Sequence, residues 1–126
     1  MRTPRVFQDD RDIIEMVSGA DLSALEDTFV NTNAAGKIVG AAAGEVALGV
    51  LRNAPGAADL KALVQVRGIA TVNAEEALSV LDILKVGAAG GALIATTTTH
   101  PVATAIEDSL ISTDVQINLG AVTVTV

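Results

Sequence analysis

The sequence predicts an all-β domain, and three observations support this prediction. A pattern of strands and turns occurs twice, once in each half of the 126-residue chain. The apolar residues are mostly Ala, Val, Leu and Ile, with Phe7 and Phe29 as the only aromatic residues, and small or β-branched side chains suit a pleated sheet. The C-terminal segment Val122–Val126 alternates Val with Thr, which is the period of two that is typical of a strand.

The repeated pattern predicts a duplicated strand–turn–strand unit. Each copy contains an aspartate, a hairpin with a glycine in its turn, and two further apolar strands. The first part aligns at an offset of 55 positions (82 − 27 = 55) and the last strands at 51 (115 − 64 = 51), as if a loop had lost residues. Such a unit contains no catalytic residue set. The aligned pairs are Asp27 with Asp82, Gly36 with Gly91, and Val64 with Val115.

Residues 1–12 are predicted to form an N-terminal arm in front of a β-domain that comprises residues 13–126. The arm has no periodic apolar face, and it contains Arg2, Arg5 and Arg11, three of the eight basic residues of the chain. Chain termini are usually mobile, so a disordered tail is one interpretation. The interpretation that we favour is an arm that becomes ordered against a partner, with Phe7 as its anchor.

The first half of the β-domain begins at Ile13–Val17, which could form a short helix or a strand. The strands that follow favour a strand here. The turn residues of Thr32–Gly36 predict a hairpin, and Asn53–Gly56 is a strong turn signal. Val46–Leu51 is apolar on both faces, as expected of a buried strand. The other strands of this half are predicted at residues 28–31, 37–39 and 62–72.

The second half repeats the hairpin after one possible helix. Asn73 could cap a short helix near residues 74–80, with Glu75 and Glu76 in its first turn, where the helix dipole favours acidic side chains. The hairpin then returns around the turn Gly87–Gly91. Strands are predicted at residues 82–86, 93–96, 102–106, 114–119 and 121–126, for a total of about ten in the chain.

Composition excludes several classes of function. The net charge is −7, with 15 acidic and 8 basic residues, whereas nucleic-acid binding depends on Lys and Arg. The chain has no cysteine, which excludes disulfide and thiolate chemistry. No apolar run is long enough to span a membrane, and the polar N-terminus lacks the apolar stretch of a signal peptide. We therefore expect a soluble protein that is made in a cytoplasm and binds neither nucleic acid nor membrane.

Candidate catalytic and metal-binding residues are all explained better as structural residues. His100, the only histidine, has no partners at a spacing that would suit general-base catalysis or metal binding. Asp9, Asp10 and Asp12 lack the glycine and glutamate positions of an EF-hand. The glycine-rich Gly87–Gly91 lacks the Lys-Ser/Thr of a phosphate-binding loop, so a hairpin turn is the better explanation.

Two pairs of acidic residues could supply the carboxylates of a glycosidase. They are Glu75 with Glu76, and Glu107 with Asp108. Sugar sites usually contain aromatic platforms, which this chain lacks, and positions at a helix start and in a turn explain both pairs. We therefore predict that the chain is not an enzyme and has no cofactor, metal or small-molecule substrate.

The order of strands and turns resembles that of the small capsid decoration (cement) proteins of tailed bacteriophages. The resemblance covers roughly residues 13–119. The sequence departs from the family pattern at Leu81, where the family has a glycine before an aspartate, and at Thr104, also a glycine in the family. The segments that carry the resemblance are Phe29–Val39, Ala47–Pro55 and Val64–Val72, and then Leu81–Thr96, Val102–Glu107 and Asp114–Leu119.

This resemblance implies a compact β-barrel or β-tulip-like domain that forms a homotrimer on the outside of a phage head. It would be a structural virion protein, made in the bacterial cytoplasm, that binds the major capsid protein at threefold-type positions and stabilises the shell. Arg2, Arg5, Phe7 and Arg11 are the predicted capsid contacts. The alternative is a ligand-binding or adhesive β-module, such as a head-fibre or surface-binding domain.

Overall fold

The computed structural model describes residues 13–95, 103–108 and 114–119. These residues form ten β-strands, and no helix occurs among them. The predicted all-β class is confirmed. The strands are β1 (Ile13–Val17), β2 (Phe29–Thr32), β3 (Ile38–Gly40), β4 (Gly49–Leu51), β5 (Lys61–Gln65), β6 (Gly68–Asn73), β7 (Ile83–Val86), β8 (Ala92–Ile94), β9 (Ala103–Ala105) and β10 (Asp114–Leu119).

The strands form two antiparallel five-stranded sheets, with orders β1-β5-β4-β2-β3 and β6-β10-β9-β7-β8. Each sheet curls so that its two end strands meet. Ser18, directly after β1, forms a parallel bridge with Ile38 at the start of β3, and Ala74, directly after β6, forms the same bridge with Ala92 in β8. Each half is therefore a small barrel that is closed by one bridge. We call them unit 1 (residues 13–66) and unit 2 (residues 68–119).

The two units have the same topology, because replacing β1–β5 by β6–β10 converts one strand order into the other. Val30 pairs with Gly40 and Gly49, and Leu84 pairs with Ile94 and Ala103. The equivalent residues of β2–β4 and β7–β9 are therefore 54 positions apart (84 − 30 = 54). The predicted duplication is confirmed.

The alignment predicted from the sequence was one residue out of register. Asp27 is equivalent to Leu81 rather than to Asp82, and both have a positive φ, of 63° and 73°. Likewise Gly36 corresponds to Gly90 rather than to Gly91, with φ values of 77° and 83°. The two units share the backbone conformation at these positions but not always the residue type. An alignment that pairs identical residues, such as Asp27 with Asp82, is therefore shifted by one residue.

The last strand of the units also differs from the predicted alignment, and the first strand, for which no alignment was predicted, has an offset of its own. In the sheets, Val64 pairs with Leu51 and Ile117 pairs with Ala105, which makes Val64 equivalent to Ile117 at an offset of 53 (117 − 64 = 53). The predicted equivalence of Val64 with Val115 was therefore wrong by two residues. For β1 and β6 the offset is 56, because the bridge residues Ser18 and Ala74 correspond (74 − 18 = 56).

The prediction of a short helix near residues 74–80 is wrong. Ala74 is fully buried and continues from β6 into the bridge with Ala92. The side chain of Glu75 binds the loop of residues 87–91, and Leu78 is buried in the core of unit 2. Tertiary contacts thus fix this segment in a non-helical path, and they outweigh the weak local helix signal from Asn73 and Glu75.

The predicted strand over residues 62–72 is in fact two strands that belong to different units. β5 ends at Gln65 and β6 begins at Gly68, which has a φ of 85°. The buried side chain of Gln65 holds this linker, because its Nε2 donates to the carbonyl oxygens of Arg67 at 3.1 Å and Ile69 at 2.8 Å. The chain therefore passes from one barrel to the next through a short, hydrogen-bonded turn.

The two barrels have separate cores that meet at one place. The core of unit 1 is formed by Leu22, Val30, Ile38, Leu51, Ala62 and Val64. The core of unit 2 also includes three residues of unit 1, namely Phe29, Ala41 and Val50. These three side chains belong to strands and loops of unit 1 but pack in the core of unit 2, so they connect the two units. We call this contact the junction.

Backbone hydrogen bonds reinforce the junction. Phe29 N–H donates to the carbonyl oxygen of Gly90 at 2.7 Å, and Asn73 N–H donates to that of Asp27 at 2.9 Å. The fit is close, since a Cβ atom on Gly90 would lie 3.2 Å from the Cβ of Thr28. The segment Asp27–Phe29 of unit 1 therefore rests directly on the end of β6 and the β7–β8 loop of unit 2.

Candidate interaction surface

The predicted capsid contacts Arg2, Arg5, Phe7 and Arg11 lie outside the described residues, and they remain a prediction. The same holds for His100 and for the C-terminal strand Val122–Val126. Within the described ranges, no group of three or more His, Cys, Asp or Glu side chains is placed to hold a metal ion. The described residues also contain no helix that could cross a lipid bilayer.

The glycine-rich turn of residues 87–91 binds an internal carboxylate. Oε2 of Glu75 accepts hydrogen bonds from the N–H groups of Ala89 at 3.1 Å and Gly91 at 2.6 Å. The carboxylate lies so close to the loop that a Cβ atom on Gly87 would be 2.4 Å from Oε2. The sequence-based interpretation of this segment as a hairpin turn is therefore supported, and the glycines make room for Glu75.

The equivalent turn of unit 1 satisfies the same two amides in another way. Oδ1 of Asn33 accepts hydrogen bonds from the N–H groups of Ala35 at 2.9 Å and Lys37 at 3.0 Å. Asn33 is equivalent to Gly87, and Gly19 is equivalent to Glu75. Unit 1 thus has an acceptor within the turn and a glycine opposite it, whereas unit 2 has the glycine in the turn and the acceptor opposite.

This exchange predicts that Glu75→Gly and Gly87→Asn destabilise the protein singly but compensate each other in combination. Glu75→Gly removes the acceptor of two amides, one of them partly buried, and should lower the free energy of unfolding by about 2 kcal/mol. Gly87→Asn alone places a side chain on the Glu75 carboxylate. Together the two changes recreate the arrangement of unit 1. Urea unfolding followed by circular dichroism measures the cycle.

A favourable coupling of at least about 1 kcal/mol between the two substitutions is expected, because they share one contact. Gly56→Asn is the matched control, since a Cβ atom there would meet nothing within 4 Å, and it should add to Glu75→Gly without coupling. Additive effects of Glu75→Gly and Gly87→Asn would show that the two turns are not interchangeable.

The second pair of acidic residues also has a structural role. Asp108 Oδ1 accepts a hydrogen bond from the N–H of Val80 at 2.8 Å, and Glu107 Oε1 accepts one from the N–H of Gln116 at 2.8 Å. Both carboxylates therefore stabilise backbone segments around the end of β9. This agrees with the turn positions that were predicted for them from the sequence.

A cleft of about 230 Å³ lies beside the junction. Its walls are Leu25, Thr28, Phe29 and the small residues of positions 40–42 and 88–90. None of these side chains titrates, so the cleft offers neither an acid nor a base for catalysis.

Five of the seven large hydrophobic side chains that are exposed among the described residues lie in two patches. The first, the Leu81 patch, contains Val80 (52% exposed), Leu81 (75%) and Ile106 (36%). The backbone holds them together, because Leu81 N–H donates to the Ala105 carbonyl at 2.8 Å. The second, the Val17 patch, contains Val17 (44%) and Leu60 (47%), which are adjacent because Ser18 N–H donates to the Leu60 carbonyl at 2.8 Å. Large contiguous apolar patches mark interaction surfaces, and these two patches are the candidates among the described residues.

Leu81 is unusual in its backbone as well as in its exposure. Its φ of 73° is a left-handed conformation that costs an ordinary residue about 1–2 kcal/mol. The family resemblance placed a glycine at this position, which would avoid that cost. A leucine here is unfavourable for the folded chain on both counts, which makes Leu81 a candidate contact residue.

Comparison with solved structures identified a protein with the same fold. The head fiber gp8.5 N base of bacteriophage phi29 matches with a TM-score of 0.72 and 15% sequence identity, over 86% of this chain and 94% of that one. At this level of identity the similarity shows the fold alone. No protein-family model matches the chain, and no curated protein is significantly similar to it.

Proposed function

We propose that the chain is a structural, non-enzymatic protein of a bacteriophage head. The observation that carries this proposal is the similarity of fold to the N base of a phage head fiber, over 94% of that chain. The described residues are consistent with it, because the acidic side chains of both candidate catalytic pairs that form contacts there, Glu75, Glu107 and Asp108, bind backbone amides. The sequence resemblance to capsid decoration proteins points to the same location on the virion by a separate route.

Within this class we propose a decoration protein that binds the major capsid protein as a homotrimer on the outside of the head. A protein that binds only the assembled shell stabilises it by mass action. Three linked copies would convert a modest contact per copy into high avidity. In this proposal residues 1–12 form the capsid contact, with Phe7 as the apolar anchor and Arg2, Arg5 and Arg11 as the charged groups.

The second candidate is an adhesive β-module such as the base of a head fibre, and the similarity of fold to the phi29 head fiber base supports it equally. A fibre base must attach to the head but need not strengthen it. The two functions therefore differ in one measurable consequence, which is the stability of heads with and without the bound protein.

Binding to purified heads that lack this protein tests the proposal. We expect the full chain to co-sediment with heads, and we expect removal of residues 1–12 to weaken binding at least about tenfold. Arg2, Arg5 and Arg11 changed together to Lys keep the charge and should retain most of the binding. Failure of the full chain to bind heads would contradict the proposed function.

The same heads distinguish the two candidates. A decoration protein should raise the temperature at which the bound heads release their DNA, whereas a fibre base should bind without changing it. Heads mixed with the variant that lacks residues 1–12 serve as the control. Bound protein that leaves the release temperature unchanged would exclude decoration and favour the fibre base.

A further inference from the structure

The junction joins two different faces, and each unit has one copy of both. The leading face is the segment Asp27–Phe29 in unit 1. The receiving face is formed by Asn73 and Gly90 in unit 2, which the leading face contacts through two backbone hydrogen bonds. The contact is therefore head-to-tail, and among the described residues it leaves one leading face and one receiving face of each chain without a partner face.

The unused faces follow from the equivalence of the units. The leading face of unit 2 is Leu81–Ile83, and the receiving face of unit 1 is formed by Val17 and Gly36. The exposure of the described residues differs between the covered faces and these two: Phe29 is fully buried but Ile83 only half-buried, and Gly90 is buried but Gly36 exposed. Ile83 and Gly36 are thus each more exposed than the equivalent residue at the junction, as expected of a face that no second unit covers.

Most of the exposed large hydrophobic side chains of the described residues lie at these two faces. The Leu81 patch surrounds the free leading face, and the Val17 patch surrounds the free receiving face. Together they contain five of the seven large hydrophobic side chains that are exposed in the described part of the chain. At the junction the corresponding positions are the polar pair Asp27 and Asn73, whose backbones are hydrogen-bonded at 2.9 Å. On the free faces those positions hold Leu81 and Val17.

We propose that the leading face of unit 2 docks onto the receiving face of unit 1 of a second copy, in the geometry of the junction. Leu81 would then pack against Val17 of the next copy, and both patches would be buried. A head-to-tail contact of this type forms a ring when its rotation closes. Closure with three copies, and therefore six units, rests on the homotrimer of the proposed function.

Leu81→Asp tests the contact without disturbing the fold. Asp27 occupies the equivalent position with a φ of 63°, so aspartate is compatible with this backbone. We expect the variant to fold with undiminished thermal stability of the single chain, and to self-associate at least about tenfold more weakly. Sedimentation velocity should show a change from three chains to one. Val46→Asp, at a position that is 55% exposed outside both patches, should leave the mass unchanged.

A pair of engineered cysteines tests the geometry, and the chain has no cysteine of its own. A Cβ atom on Gly90 would lie 3.2 Å from the Cβ of Thr28, so Thr28→Cys with Gly90→Cys should form a disulfide within one chain and serves as the positive control. Gly90 and its equivalent Gly36 both have a positive φ, so a cysteine has the same backbone cost in the control and in the test. Their equivalents are Asp82 and Gly36. A chain that carries both Asp82→Cys and Gly36→Cys should form disulfides between copies, which denaturing electrophoresis resolves as linked trimers. Either substitution alone should leave single chains.

The outcomes separate this contact from the proposed function. Two results would overturn the contact but leave the homotrimer standing. One is a trimer that persists with Leu81→Asp. The other is a double cysteine variant at positions 36 and 82 that forms no disulfide between copies, while the junction control forms its own. A chain that is monomeric at all concentrations would overturn both. Linked trimers that fail to bind phage heads would support the contact and contradict the capsid role alone.

Discussion

Phe29→Ala is expected to lower the free energy of unfolding by about 3–5 kcal/mol, the range for loss of a buried phenylalanine. Phe29 belongs to β2 of unit 1, but its fully buried side chain packs in the core of unit 2. Truncation would therefore leave a cavity between the barrels, where neither core can easily fill it. Because the chain has no Trp or Tyr, urea unfolding should be followed by far-ultraviolet circular dichroism.

The duplication supplies a matched control for this variant. Ile83 is equivalent to Phe29, but it lies half-buried on the free leading face. At concentrations low enough to keep the chain monomeric, Ile83→Ala should cost only about 1 kcal/mol, since less apolar surface is lost. We also expect the wild type to unfold in one transition and Phe29→Ala in two. Equal costs for the two substitutions would show that Phe29 does not couple the barrels.

Much of the fold could be predicted from the sequence because its strands are short, apolar and separated by clear turn residues. The segments 46–51, 82–86 and 114–119 were predicted as strands, and the structure has β4, β7 and β10 there. The hairpin around Gly36 was predicted from its turn residues, and the loop adopts the positive φ that only glycine accepts easily. These features are local, so a local pattern is sufficient to find them.

The boundary between the units could not be predicted, because the alternation of apolar and polar residues continues through it. Residues 62–72 have the pattern of one strand, yet the chain leaves the first barrel after Gln65 and enters the second at Gly68. The break depends on the side-chain amide of Gln65, which binds two carbonyl oxygens across the turn. The alternation of apolar and polar residues contains no information about these hydrogen bonds.

The candidate site was predicted only in part. The sequence drew attention to Arg2, Arg5, Phe7 and Arg11, which the described residues do not reach. The apolar surface of Leu81 was not predicted, although one signal was present: a leucine stands where the resembling family has a glycine. Interpreted physically, that difference predicts a positive φ at an exposed turn. The complementary position of Val17 depends on how the two units contact each other, which only the structure provides.

Gly49→Ala is expected to reduce the free energy of unfolding by at least about 3 kcal/mol, the upper part of the range for overpacking. A Cβ atom at this position would lie 2.1 Å from the carbonyl oxygen of Gln65 and 2.9 Å from Cγ1 of Val64. β5 cannot easily move away, because it is held between β1 and β4 in the sheet. Loss of the cooperative circular-dichroism transition, or a large shift of its urea midpoint, would be the expected result.

Gly56→Ala is the control for this last substitution, since its Cβ would meet nothing within 4 Å and its cost should stay within about 0.5 kcal/mol. Unit 2 has Ala103 at the position of Gly49, fully buried in its barrel. The close approach to Gln65 that excludes a Cβ atom at Gly49 is thus a property of unit 1. If Gly49→Ala folded with a loss below about 1 kcal/mol, the close approach of Gly49 to the carbonyl oxygen of Gln65 would not restrict this position to glycine.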